Sequence, residues 1–185
     1  TAMYYTKPNL DEKMNPGNVA LKVSDTPVSI GMYNYYYSCI YQNYISYANY
    51  GYYDLDTTKS FDVQKTTDSD GNEVSWSQLF KNETIKQIQY ITTYYEKAVD
   101  EGITLTKAQE KSIKSTLESI KDAATKDSVS VNKYISATYG DYCGYATIEK
   151  MLTQCYIAEN YYQRLSVSQK FTDKEITCLL YTSDA

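Results

Sequence analysis

At 185 residues, with 42% hydrophobic and 22% charged side chains, the chain has the size and composition of one globular domain with or without tails. A net charge of −5, with Arg164 as the only arginine, supplies no basic stripe for a nucleic-acid backbone and none for anionic lipid. There is no histidine, which removes the commonest general base and metal ligand and any Ser-His or Cys-His nucleophile.

In chain order, residues 1–17 are polar and carry Pro8, Pro16 and Gly17, which predicts a flexible tether. No apolar run is long enough for a bilayer span, so a signal peptide or lipid anchor is expected upstream or removed. Val19–Val23 alternates as a short strand. Ser24, Asp25, Thr26 and Pro27 read as a turn, and Val28 as the start of a second strand. Ser29 is placed to cap a first helix, with Tyr33, Tyr37, Ile40, Tyr44 and Ala48 as its apolar stripe and Gly51 as its stop.

Residues 52–75 form a polar excursion. Asp70-Gly71, between Lys65–Thr67 and Glu73–Ser75, predicts a hairpin or loop turn. It does not read as a calcium loop, because the glycine spacing and the closing glutamate of an EF-hand are missing. Asp54 and Asp56 are a carboxylate pair, but a polar loop offers no apolar pocket to shift a pKa, so they read as solvated turn residues.

Ser75 with Gln78 caps a long second helix whose inward positions are read as Leu79, Ile85, Ile88, Ile91, Tyr95 and Val99. Gly102 ends it, and Thr106 with Gln109 forms a capping box for a third helix over 107–124, with Ile113, Leu117 and Ile120 inward. Ser130 caps a short fourth helix that Gly140 closes. Residues 141–165 hold a fifth, with Ile148, Leu152, Cys155 and Ala158 on one face. The expected fold class is mostly α: about five helices with a short N-terminal β-hairpin.

Tyrosine is the outlier: the chain has 23. These rings read as core packing with half-exposed edges, as an amphipathic platform for unfolded peptide, or as a carbohydrate-stacking surface, for which Trp76 alone is a poor supply. Cys39, Cys143 and Cys155 have neither metal-ligand spacing nor a histidine partner. They read as small buried side chains, with a disulfide from Cys39 to Cys143 or Cys155 left open by the spacing.

Four segments stand in the order of a known family. They are residues 19–33; the helix–Gly102-Ile103-Thr104-Leu105-Thr106–helix joint; the short helix from Ser130 to Tyr139-Gly140; and Phe171-Thr172-Asp173-Lys174-Glu175-Ile176. Over residues 18–177 the chain resembles the N-terminal chaperone module of extracytoplasmic foldases of the SurA/PrsA type, in the parvulin-type peptidyl-prolyl isomerase family. The resemblance implies a tether over 1–17, a helical chaperone module over 18–170, and at 171–177 the start of a linker helix to a missing domain. Residues 178–185, from Cys178 to Ala185, read as a translated sequencing adaptor.

Parvulin sites lean on histidines, so the isomerase domain is expected to be absent from this fragment, and whether the parent isomerises prolines stays open. The implied partners are unfolded or nascent secreted proteins. No catalytic residue, cofactor or metal is expected, nor any nucleic-acid partner, and membrane attachment is expected only through an upstream anchor. The implied location is the bacterial cell envelope or outside it. The candidate peptide-binding residues are Tyr36, Tyr47, Tyr50 and Tyr95, read as lying off the buried stripes or at their edges. The alternative is a non-catalytic cell-envelope scaffold or adhesin-like module with a closed core and no groove.

Overall fold

The computed structural model describes residues 19–24 and 26–168. The expected tether, the 171–177 helix start and the adaptor reading of 178–185 therefore lie outside the described residues. The described chain is mostly helical with a short N-terminal hairpin, as expected. Its elements are β1 (Val19–Val23), β2 (Thr26–Ser29), α1 (Ile30–Asn49), β3 (Lys65–Thr67), β4 (Glu73–Ser75), α2 (Trp76–Asp100), α3 (Lys107–Lys126), α4 (Val131–Tyr139) and α5 (Tyr145–Ser168).

Local signals account for most boundaries. The hydroxyls of Ser29, Ser75, Thr106 and Ser130 each accept the backbone N–H three residues on, satisfying one of the free donors at a helix start. At Thr106 the box is closed by Gln109, whose side chain accepts the Thr106 N–H at 2.9 Å. Helix α1 ends in a Schellman turn. The Tyr52 N–H reaches the Tyr47 carbonyl at 3.1 Å and the Gly51 N–H reaches Ala48 at 2.9 Å, with Gly51 at φ 80°, a conformation that costs glycine least.

Two sequence expectations are corrected. The second strand begins at Thr26 rather than Val28, with Pro27 paired to Lys22 and Thr26 to Val23. The turn is thus two residues long, with Ser24 left-handed at φ 52°, and Pro27 fits because each strand of a two-stranded sheet has a free edge. On α2, Ile85 and Val99 point outward, 38% and 51% exposed. The inward stripe runs instead through Phe80, Thr84, Ile88, Ile91 and Ala98, at steps of three, four and seven that return to one face.

The core has three parts. The hairpin, α1, α2 and α5 enclose Val28, Met32, Tyr36, Ile88, Met151 and Ala158. The far halves of α1 and α2 enclose Tyr37, Phe61, Trp76, Leu79 and Phe80. Helices α3, α4 and α5 enclose Ile113, Leu117, Ile135 and Ile148, with Cys143. Buried polar groups on α1 are answered: Asn34 donates to the Asp141 carbonyl at 2.5 Å and Ser38 to the Thr138 carbonyl at 3.0 Å, which ties α1 to the last turn of α4 and the start of the α4–α5 connection.

Candidate functional site: a tyrosine platform at the end of α1

The last turn of α1 leaves the core. Beyond Tyr44 the helix is covered on one side only, and Tyr47 and Tyr50 face solvent at 47% and 78% exposure. The Schellman turn then reverses the chain and places Tyr52 and Tyr53 beside them. The Tyr47 ring meets Tyr52 at 5.8 Å and Tyr53 at 6.4 Å, both edge-on. Below this layer Tyr44 and Tyr53 lie 5.3 Å apart and each meets Trp76 in a T-shaped contact, at 5.7 and 5.6 Å. Phe80 closes the stack beneath, 5.7 Å from Trp76.

The result is a two-storey arrangement: exposed tyrosines above, a buried Trp–Phe floor below. Edge-to-face aromatic pairs hold their geometry by quadrupole attraction as well as area, about 0.5–1.5 kcal/mol per pair beyond burial. The floor is fixed by the 51–75 excursion, whose backbone is pinned from within. The Gln64 amide donates to the Asp56 carbonyl and accepts the Asp56 N–H, each at 2.9 Å. Asp56 accepts both the hydroxyl and the N–H of Thr58 and pairs with Lys59 at 3.0 Å, and these donors hold its carboxyl down to about 2. Asp68 similarly accepts the Asp70 and Asn72 N–H groups around the hairpin turn. These carboxylates therefore act as turn formers, in line with the sequence reading of the loop.

One polar group beneath the platform is unanswered. The indole N–H of Trp76, which is 1% exposed, has no acceptor among the described residues. A buried donor left unpaired costs about 1–3 kcal/mol, so the floor is held by ring packing against that penalty.

The four candidate tyrosines divide. Tyr47 is on the platform, in contact with Tyr52 and Tyr53, whereas Tyr50, three residues on, is exposed and makes no ring contact with them. Tyr36 is not on the platform: contrary to the expectation that it lies off the buried stripe, it is 4% exposed. Its hydroxyl lies 3.5 Å from Cys155 Sγ and its ring meets Tyr35 edge-on at 5.5 Å. The reason is that the first turns of α1 are wrapped by β2, α2, α4 and α5, so no face stays free. Burial pushes its phenol far above the ordinary tyrosine range. Tyr95 is half-buried against the first core cluster, and lies 19 residues past Trp76 on α2, about 28 Å along the helix axis.

The sequence reading missed Tyr52 and Tyr53, whose signal was their place directly after a helix-stopping glycine. A smaller exposed cluster lies further along α2. There the Tyr90 ring meets Tyr94 at 4.4 Å in a tilted contact, and Tyr162 of α5 approaches Tyr94 at 6.1 Å.

Elsewhere, a groove of about 390 Å³ runs between α3 and the start of α5, floored by Leu105, Ile113 and Leu117 and edged by Tyr145, Lys121 and Glu149. Lys121 Nζ sits 4.7 Å over the Tyr145 ring, a cation–π contact across the groove. Cys39, Cys143 and Cys155 are all free thiols. Cys143 donates to the Gly31 carbonyl at 2.9 Å, and burial pushes its pKa up to about 12. Among the described residues no three His, Cys, Asp or Glu side chains converge as metal ligands, and no helix is long and apolar enough to cross a membrane.

In comparisons with known proteins, no family model matches the chain, and neither a curated protein nor a solved structure is significantly similar to it.

Proposed function

We propose that the chain is the peptide-holding module of an extracytoplasmic foldase, and that Tyr47, Tyr50, Tyr52 and Tyr53 form the surface on which unfolded or nascent secreted segments rest. The observation that supports this reading is the platform itself. Tyr47, Tyr52 and Tyr53, each at least 41% exposed, are joined by ring contacts over a packed aromatic floor, with the exposed Tyr50 three residues after Tyr47, whereas isolated exposed rings need no explanation. Tyrosine suits weak and indiscriminate holding. Its ring buries large area with only two rotatable bonds to fix, and its hydroxyl serves as donor or acceptor for whatever backbone arrives. The order of segments resembling the SurA/PrsA-type module is the second support. The mechanism is reversible burial of apolar side chains on a preformed surface, with no chemical step, and any isomerase activity belongs to a domain outside this fragment.

Suppression of aggregation of a reduced, unfolded model protein by residues 18–177 tests the reading. Suppression at near-stoichiometric ratio, reduced several-fold by replacing Tyr47, Tyr50 and Tyr52 together with serine, is the expected result. A folded chain without holding activity would remove it and favour the cell-envelope scaffold, whose closed core between α1, α2 and α5 is compatible with this fold.

A further inference from the structure

We propose that the tyrosine platform is selective for cationic segments: extended polypeptide in which a lysine or arginine stands two residues from an apolar side chain. The inference rests on the holding function above and names its substrate class. Charge on this chain is not evenly spread. Residues 51–75 carry six carboxylates against two lysines, so nearly the whole net charge of −5 resides in the loop and hairpin that flank the platform. The turn-forming Asp56 and Asp68 are engaged within the loop. Asp54, next to Tyr53 in the chain, is exposed and makes no ion pair among the described residues, whereas the exposed Asp62 lies further back, beside Tyr37. From the α2 side, burial and then the Glu83 carboxylate raise the Tyr44 phenol, but Glu83 is paired with Lys86 at 3.1 Å and adds no unpaired charge to the ring cluster.

An exposed aromatic face built in part from a loop of net negative charge, with the unpaired Asp54 beside Tyr53, fits one kind of occupant. The tyrosine faces attract a guanidinium or ammonium by cation–π interaction, the carboxylates by charge, and both reject an acidic chain. An apolar side chain two residues from the cation, which points to the same side of an extended strand, covers the remaining ring area. Beneath, the unpartnered Trp76 indole N–H is a donor waiting for an acceptor. Tyr53, which packs on it and is itself 41% exposed, is the ring whose displacement would admit a backbone carbonyl of the bound segment. Every extended polypeptide carries such a carbonyl, so this contact adds affinity without adding sequence preference.

Trp76 is the only tryptophan, so its emission reports on the floor of the platform alone. The test uses three tryptophan-free peptides of equal length and apolar content, one cationic, one neutral and one anionic, each with an uncharged fluorophore. Affinity is read by anisotropy and place by Trp76 emission. The expected result at low salt is that the cationic peptide binds about tenfold tighter than the anionic one, with the neutral peptide between. The gap should narrow to about twofold in about 0.5 M salt, where charges beyond a few ångströms are screened. Binding should shift or quench Trp76 emission. The Asp54→Asn variant changes only an exposed side chain, and should lose most of the cationic preference while keeping its affinity for the neutral peptide. Equal affinities for all three peptides would overturn the charge selectivity and leave the holding function standing. Binding that leaves Trp76 emission unchanged would overturn the placement. No binding of any peptide by the folded chain would sink the holding function and this inference together.

Discussion

At the scale of single residues, the tightest joint in the molecule is at Gly31. A β-carbon there would overlap the Tyr142 carbonyl oxygen and crowd Thr147 Oγ1, so α1 and the start of α5 approach as closely as they do only because the position has no side chain. The Gly31 carbonyl also receives the Cys143 thiol. Gly31→Ala gains helix propensity near the N-terminus, at most about 1 kcal/mol, but must push apart two backbones, an overpacking cost of about 1–3 kcal/mol. The expected outcome is a net loss of about 1 kcal/mol in chemical denaturation. Faster labelling of Cys143 by a thiol reagent should accompany it, because in the parent chain the buried thiol has its pKa raised to about 12 and offers little thiolate. A variant as stable as the parent, with Cys143 still protected, would show that the joint can relax. Neither the need for glycine at 31 nor the burial of Tyr36 can be read from the sequence. Both depend on how many partners surround the first turns of α1, and periodicity along one helix does not carry that information.

At the scale of elements, the joint between α2 and α3 shows how a locally readable signal acquires a tertiary task. The capping box predicted from Thr106 and Gln109 is present, but Gln109 also donates to Asn160 Oδ1 at 2.7 Å. Asn160 in turn donates to Gln109 Oε1 at 2.9 Å and to the Thr104 carbonyl at 3.0 Å. This amide pair, with the Ser112–Tyr156 hydroxyl contact at 3.1 Å, ties the start of α3 to α5. Thr106→Ala should cost about 1 kcal/mol, as N-cap losses do. Asn160→Ala should cost a similar amount by leaving Gln109 and Thr104 short of a partner. Because both act through Gln109, a double-mutant cycle should return a coupling of about 0.5 kcal/mol or more, and strict additivity would contradict the shared network. Helix ends, the hairpin turn at Asp70-Gly71 and the order of elements were legible because capping and turn chemistry are local. The facing of α2 was legible only in part. Ile85 and Val99 look as apolar as Ile88, and only the positions of α1 and α5 decide which of them is covered. The platform was half legible for the same reason. Tyr47 and Tyr50 follow from helix geometry, whereas Tyr53 and Trp76 join them through the fold of the intervening loop.

At the scale of the whole molecule, the abundance of tyrosine makes the fold sensitive to alkali in a predictable direction. Burial raises the phenol pKa of Tyr33, Tyr35, Tyr36, Tyr37, Tyr41, Tyr44 and Tyr139, and raises the thiols of Cys39, Cys143 and Cys155 as well. In each case the disfavoured form is the anion, so the folded state holds these protons more tightly than the unfolded chain does. The contribution to stability is therefore complete below the unfolded values, 9.0 for the thiols and 10.0 for the phenols. It drains away as pH rises above them, since the unfolded chain ionises there and the folded chain does not. Seven of the ten groups lie on α1, with Tyr139 on α4, Cys143 in the α4–α5 connection and Cys155 on α5 packed around it. The loss is thus centred on α1 and the partners packed around it, and the chain should unfold cooperatively in alkali. Tyrosinate absorbance and helical circular dichroism, followed together through an alkaline titration, should show the buried phenols ionising in the same narrow pH interval in which the helices melt. Raising ionic strength should move that interval little, because desolvation rather than long-range charge is the largest cause of each shift. If the buried phenols ionised one after another while the helical signal stayed intact, water would have to reach them in the native state, and the enclosure of α1 on which the aromatic floor depends would be looser than its packing implies.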